Sequence, residues 1–344
     1  MKLLQAMAGG KIGGAEAFFV RLAGALVRAG VDQRIVIRRH DARAAALRDA
    51  GLDPVELAFG GLLDRTTTRR LADEIEAFAP EIVLSWMNRA SRSCARARRG
   101  RGPVQIGRLG GYYKLKYYRG CDHVIGNTPD IVDHLRRQGW PAERAHFVPN
   151  FVDATPAAPI GRPELATPMG APVLLALGRL HRNKAFDIAI SALVELPDAV
   201  LWIAGEGPER DALGALADRL GMAERIRWLG WRDDVAALLA AADVLVCPSR
   251  IEPLGNVVIE AWAHGCPVVA TASAGPAWLI ENEVSGLITA LEDANALAAA
   301  VGRVLGDTGL AARLADAGRA AYRARFSEPA VVEQYIELFE MVAL

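Results

Sequence analysis

Val244-Leu-Val-Cys-Pro-Ser-Arg-Ile-Glu252-Pro-Leu-Gly-Asn256-Val-Val-Ile-Glu260-Ala-Trp-Ala-His-Gly265-Cys-Pro-Val-Val-Ala-Thr271 reads as strand, loop, helix, turn, strand. Val244 to Cys247 is a short apolar run of β-branched character, the pattern of a strand buried on both faces. Pro248 ends it. Leu254-Gly255-Asn256 turns the chain into a helix whose first N–H groups lack intrahelical partners. Gly265 and Pro267 stop that helix, and the next strand begins at once. A polar loop after a parallel strand, feeding a helix start, is where open α/β sheets bind phosphorylated ligands. Glu252 and Glu260 punctuate the unit, and a nucleotide-sugar is the ligand it is expected to hold.

Working outward, the 344 residues exceed one comfortable core, so two domains are expected. The chain is 52% apolar and 23% charged, a globular composition, with Lys plus Arg equal to Asp plus Glu. That balance gives no polyelectrolyte character toward nucleic acid. Cys94, Cys121, Cys247 and Cys266 are scattered, neither a disulfide framework nor a zinc site. No segment approaches the roughly 20 apolar residues of a spanning helix. The expectation is a cytoplasmic protein, soluble or peripheral at the inner face of the cytoplasmic membrane. Oligomeric state is not indicated.

The first half alternates in the same way. Leu3 to Ala6 is a strand. Gly9-Gly10 and Gly13-Gly14 bracket Lys11. Ala15 to Arg28 is amphipathic, with Phe18, Phe19, Leu22 and Leu26 on one face. Arg34 to Ile37 closes a βαβ unit. Further strands are predicted at 82–84, 104–106, 123–125 and 146–148, with helices at 67–78 and 129–138. The glycine turn is not a clean dinucleotide fingerprint, because no well-placed acid closes the next strand. Its glycines instead bring bare backbone close to a ligand. Glu16 suits a helix start.

Between Glu81 and Asp122 there is no acidic residue. That window carries Arg89, Arg92, Arg96, Arg98, Arg99, Arg101, Arg108, Lys114, Lys116 and Arg119, interleaved with Tyr112, Tyr113, Tyr117 and Tyr118. Basic residues with interfacial tyrosines fit an anionic leaflet or a phosphorylated glycan. No nucleic-acid recognition module accompanies them.

Pro149 to Asp153, followed by Pro156, Pro159, Pro163 and Pro168, marks the domain boundary, set at 155. Strands are then predicted at 173–177, 200–204, 226–229, 244–247, 268–271 and 287–289, with helices between, among them 208–220 and 235–241. The loop Gly178-Arg179-Leu180-His181-Arg182-Asn183-Lys184 follows the first of these strands, and Gly205-Glu206-Gly207-Pro208 the second. Fixed cations after a strand suit a diphosphate.

Gly13-Gly14-Ala15-Glu16, Pro149-Asn150-Phe151-Val152-Asp153, Gly178-Arg179-Leu180 with Lys184, Ala204-Gly205-Glu206-Gly207-Pro208, and Glu252 seven residues before Glu260 together resemble the retaining nucleotide-sugar glycosyltransferases of family 4. The resemblance covers nearly the whole chain in the right order. It implies a GT-B fold: two facing, doubly wound Rossmann-like α/β domains at 1–155 and 156–326, with a C-terminal helix at 327–344 crossing back to the first. By that resemblance Arg179 and Lys184 would hold the donor diphosphate and stabilise it as a leaving group. Glu252 would bind donor-sugar hydroxyls and act with them in catalysis. Glu260 would bind the ribose. Gly178, Glu206, Gly207, and the backbone at Leu254, Gly255 and Asn256 would line the donor, with Gly13 and Gly14 from the other domain. The acceptor or membrane side would include Arg108, Tyr112, Tyr113, Lys114 and Lys116.

The implied activity is transfer of a hexose-type sugar to a glycan or glycolipid, such as lipopolysaccharide core. No cofactor is implied beyond the donor substrate, and no metal, since no Asp-x-Asp pair occurs. The rival readings are a sugar-nucleotide epimerase of the same fold and a non-catalytic nucleotide-sugar-binding protein. This chain departs from the family pattern twice. Gly107 to Lys114 lacks the histidine many relatives carry. Ala274-Gly275-Pro276-Ala277-Trp278 lacks a second glycine and a glutamate.

Overall fold

The computed structural model describes residues 1–10, 13–61, 64–98 and 102–343. The chain forms two compact units. Met1–Phe151 and the last helix make one, and Val152–Ser327 makes the other. The boundary expected at 155 falls between Phe151 and Val152. Phe151 packs edge-on against Phe18, their ring centroids 5.2 Å apart, in the first core. Val152 is already buried in the second.

In the first unit the order is β1 (Lys2–Met7), α1 (Gly14–Arg28), β2 (Asp32–Arg38), α2 (Asp41–Asp49), β3 (Val55–Leu57), α3 (Arg65–Phe78), β4 (Ile82–Trp86), α4 (Met87–Ala97), β5 (Val104–Leu109), β6 (His123–Gly126), α5 (Pro129–Arg137) and β7 (Ala145–Phe147). Every strand pairing is parallel, in the order β3-β2-β1-β4-β5-β6-β7. Every residue of β4 is buried, as a parallel strand covered on both faces requires. The face of α1 bearing Phe18, Phe19, Leu22 and Leu26 fills one side of the sheet.

Three elements escape the sequence pattern. β3 is only three residues long. α2 buries few large side chains. α4 buries Ala90, Ser91, Cys94 and Ala97, so its inner face has no bulky apolar residue to betray the helical period.

In the second unit the order is β8 (Val173–Leu177), α6 (Phe186–Ala192), β9 (Val200–Ala204), α7 (Arg210–Arg219), β10 (Ile226–Gly230), α8 (Val235–Ala241), β11 (Val244–Cys247), α9 (Asn256–His264), β12 (Val268–Thr271), α10 (Ala274–Leu279), β13 (Leu287–Thr289), α11 (Ala294–Gly306) and α12 (Thr308–Arg325). The sheet is again parallel, ordered β10-β9-β8-β11-β12-β13. The last helix, α13 (Glu328–Ala343), returns to the first core with Val331, Val332, Tyr335, Leu338 and Phe339.

Each sheet reverses its strand order once, between β1 and β4 in the first unit and between β8 and β11 in the second. At such a switch point the loops leaving the two central strands turn to opposite sides and leave a crevice.

Candidate active site

In the second unit the loops after β8 and β11 meet at the switch point. Gly255 starts α9 at φ +90°, a left-handed conformation that a side chain resists, and offers no capping group to the first turn. The β8 loop is pressed against the β9 loop. Gly178 N–H donates to Ala204 C=O at 3.0 Å, and Leu180 N–H to Glu206 C=O at 2.9 Å. A Cβ on Gly205 would stand 1.9 Å from Gly178 O, and one on Gly207 would stand 2.3 Å from Leu180 O. These glycines hold one loop against the other, a structural job beneath any contact with a ligand.

Lys184 reaches across to Glu252, whose carboxylate accepts a hydrogen bond from Nζ. Burial alone lowers the lysine pKa. The charges of Glu252, the Cys247 thiol and Glu260, with the Glu252 hydrogen bond, outweigh it and hold the ammonium above its ordinary value. Lys184 is therefore paired with Glu252 and feels the charge of Glu260 more weakly. Glu252 is itself buried, at 9% exposure. Arg179 is exposed at the mouth of the same loop. Glu206 is also exposed.

Arg250 and Gly275, which the sequence reading passed over as site residues, position this arrangement. Arg250 donates to Asp187 at 2.8 and 2.6 Å, and to Glu292 and Arg182 C=O. Its backbone N–H meets Asn183 C=O at 2.8 Å, so it clamps the β8 loop to the β11 loop. The Asp187 and Glu292 hydrogen bonds raise its pKa. Gly275 N–H donates to Glu252 C=O at 2.7 Å, and a Cβ there would lie 2.4 Å from Leu254 backbone. The lone glycine of Ser273-Ala-Gly-Pro276 was the available signal.

In the first unit Gly13 is extended, not left-handed (φ 177°). What excludes a side chain is Glu16, whose carboxylate would sit 2.4 Å from a Cβ on Gly13 or Gly9. Glu16 accepts from Gly10 N–H at 2.7 Å and closes the loop leading to Gly14. The Tyr113 phenol is pushed up by burial and then by Glu16, which puts it beside that loop.

Arg108, expected on the acceptor or membrane side, is buried. It is 1% exposed, with its guanidinium 4.8 Å from the Phe18 ring and 4.6 Å from the Trp86 ring. It donates to Asn150 Oδ1 and to Tyr335 Oη. β5 lies inside the sheet and is covered on both faces, so even its polar residues are buried. The rest of the basic stretch divides too. Arg98 pairs with Asp122 and caps Pro103 C=O. Tyr118 is fully buried. Tyr112 donates to Asp130, and burial with that bond pushes its pKa up to about 12. Lys114, Lys116 and Arg119 are exposed. Lys11, Arg99 and Arg101 lie outside the described residues.

Residues 12–155 match the family model "Glycosyltransferase Family 4", and residues 171–307 match "Glycosyl transferases group 1". The chain is 37% identical over 336 residues to the lipopolysaccharide core biosynthesis glycosyltransferase LpsE of Rhizobium meliloti, covering 96% of each chain. It belongs to glycosyltransferase family 4. LpsD of the same organism matches this glycosyltransferase equally, at 37% identity and 96% coverage of both chains. A glycosyltransferase from Rickettsia africae superimposes with a TM-score of 0.90 at 18% identity, covering 99% of this chain and 98% of that one. HepE of Anabaena, in complex with UDP and glucose, gives 0.85 at 23%, covering 99% and 100%. The two parallel-sheet Rossmann-like units of the transferase are those of the GT-B fold.

Proposed function

We propose that this glycosyltransferase moves a hexose-type sugar, with retention at the anomeric carbon, from a nucleoside-diphosphate donor to a glycan or glycolipid of the lipopolysaccharide core or a similar envelope glycan. The observation that carries the reading is Lys184 ion-paired with Glu252 across the β8/β11 switch point. Lys184 and Arg179 meet the charge that grows on the departing diphosphate, an electrostatic role in a site partly closed to water. Glu252 binds sugar hydroxyls and Glu260 the ribose. Leu254, Gly255 and Asn256 present the start of α9 to the diphosphate. Gly178, Glu206 and Gly207 shape the donor loops, and Gly13 and Gly14 of the first unit are assigned to the same donor. No metal is needed when two cations are already in place.

The name LpsE and the UDP-glucose complex of HepE support the acceptor and donor classes. Tyr112, Tyr113, Lys114 and Lys116 belong to the acceptor or membrane side. A contact with anionic leaflet is carried by Lys114, Lys116 and Arg119.

Transfer from UDP-glucose, UDP-galactose, UDP-N-acetylglucosamine and GDP-mannose to purified core acceptors tests the reading. Glu252→Gln and Lys184→Ala should each lower kcat by roughly 10²–10³. Activity should survive EDTA, and the product should keep the donor's anomeric configuration. Full activity in both variants sinks the site. Donor conversion without acceptor identifies an epimerase, and binding without turnover identifies a sensor. Sedimentation with anionic but not neutral vesicles is expected of the intact surface. Equal sedimentation with both excludes an electrostatic contact.

A further inference from the structure

α4 leaves the other switch point, at the end of β4, and carries a feature that the donor reading does not use. Arg89, Arg92 and Arg96 stand at i, i+3 and i+7, so they share one face of the helix, with Asn88 and Ser93 between them. That face, Gly60, Gly61 and Tyr117 line a cavity of about 380 Å³. Its volume is in the range of small-ligand sites, and it is an open recess. Arg89 donates to Phe59 C=O at 3.0 Å, and Arg92 lies 5.7 Å from the Tyr117 ring. Neither forms an ion pair among the described residues, so no described carboxylate neutralises their charge.

Two further observations point the same way. Met87, the residue joining β4 to α4, has φ +61°, a costly conformation for a side chain that aims the helix start. Asn88 Oδ1 is buried and has no hydrogen-bond partner, an acceptor left for a hydroxyl of the sugar that bears the phosphate, not for the phosphate itself. Through Arg96 the cavity continues into a groove lined by Arg65 and Arg69 of α3.

We propose that this cavity is a phosphoryl-binding subsite, and that it takes a phosphate group borne by the acceptor glycan. Calling the ligand an acceptor rests on the function proposed above, whereas the anion site itself does not. Guanidinium groups match phosphate oxygens in geometry as well as charge. A recess admits a single phosphorylated sugar, with Tyr117 as an aromatic wall, better than it admits the plane of a bilayer.

The test measures calorimetric binding of hexose 6-phosphate, the unphosphorylated hexose and UDP to the full chain and to an Arg89→Gln/Arg92→Gln variant. The full chain should prefer the phosphate at least tenfold over the hexose. The variant should lose that preference and bind UDP as before. No preference in the full chain, or the same preference in the variant, overturns the subsite. If UDP binds neither protein while the phosphate preference is present and lost as expected, the donor assignment fails and the subsite stands. Loss of anionic-vesicle binding in the variant, with no competition by hexose 6-phosphate, assigns the arginines to membrane and also overturns it. Should the double variant not fold, Arg92→Gln alone is read in the same way.

Discussion

At the scale of single residues, the Lys184–Glu252 pair decides most. The two side chains are 24% and 11% exposed, so neither is well solvated once its partner is removed. A buried charge left alone costs more than the pair contributes. Lys184→Met and Glu252→Gln should therefore each destabilise the second unit more than the double variant does relative to them. The cycle should show a coupling of about 1–3 kcal/mol in urea unfolding. Because the lysine pKa is raised in the folded state, the stability it contributes is present below its unfolded value of 10.5 and is lost only as pH rises through the folded value. The ammonium is thus fully charged at neutral pH. Arg108 makes the contrasting case. Expected on the acceptor or membrane side, it is an interior cation stacked on Phe18 and Trp86.

At the scale of elements, the loops after β8 and β9 work as a pair. Gly207→Ala drives a Cβ into Leu180 carbonyl, where backbone and not a flexible side chain must give. A cost of about 2 kcal/mol or more is expected, lowering Tm by roughly 5 °C in a unit of this size. UDP affinity should fall with it, and differential scanning calorimetry with and without UDP checks both.

Strand β6 and the edge strand β7 hold another pair, His123 Nδ1 and His146 Nε2, 3.0 Å apart. Burial, then the charge of His123, lowers the His146 pKa to about 4. The unfolded chain, with its histidine at 6.5, binds more protons between those values, so stability should fall as pH drops through that window and level off below it. His146→Gln should flatten that part of the Tm–pH curve, leaving the common carboxylate titration.

At the scale of the whole molecule, α13 belongs by sequence to the end of the chain and by packing to its beginning. It places Val331, Val332, Tyr335, Leu338 and Phe339 in the first core. Each fully buried side chain is worth roughly 1.5–3 kcal/mol, and together they rival the 5–15 kcal/mol of a typical domain. Truncation after Ser327 should abolish the unfolding transition of the first unit and leave that of Val152–Ser327, measured by calorimetry.

The sequence by itself determined the alternation of strands and helices and the glycine-bearing loops. Periodicity and turn chemistry are local, and in β8, β9, β11, β12 and β13 apolar runs end where the strands end. It also singled out Arg179, Lys184 and Glu252, because cations and carboxylates in loops after strands have few local reasons to be there, and Glu260 by its spacing from Glu252. Tertiary structure alone decided which of them meet. Lys184 and Glu252 are 68 residues apart and touch because β8 and β11 are neighbours across the crossover. It alone separated Arg108, on a strand covered on both faces, from Arg89, Arg92 and Arg96, gathered on one face of a helix that small buried residues had concealed. Charge is legible in a sequence. Whether a charge is buried, paired or gathered into a cavity depends on neighbours that only the folded chain supplies.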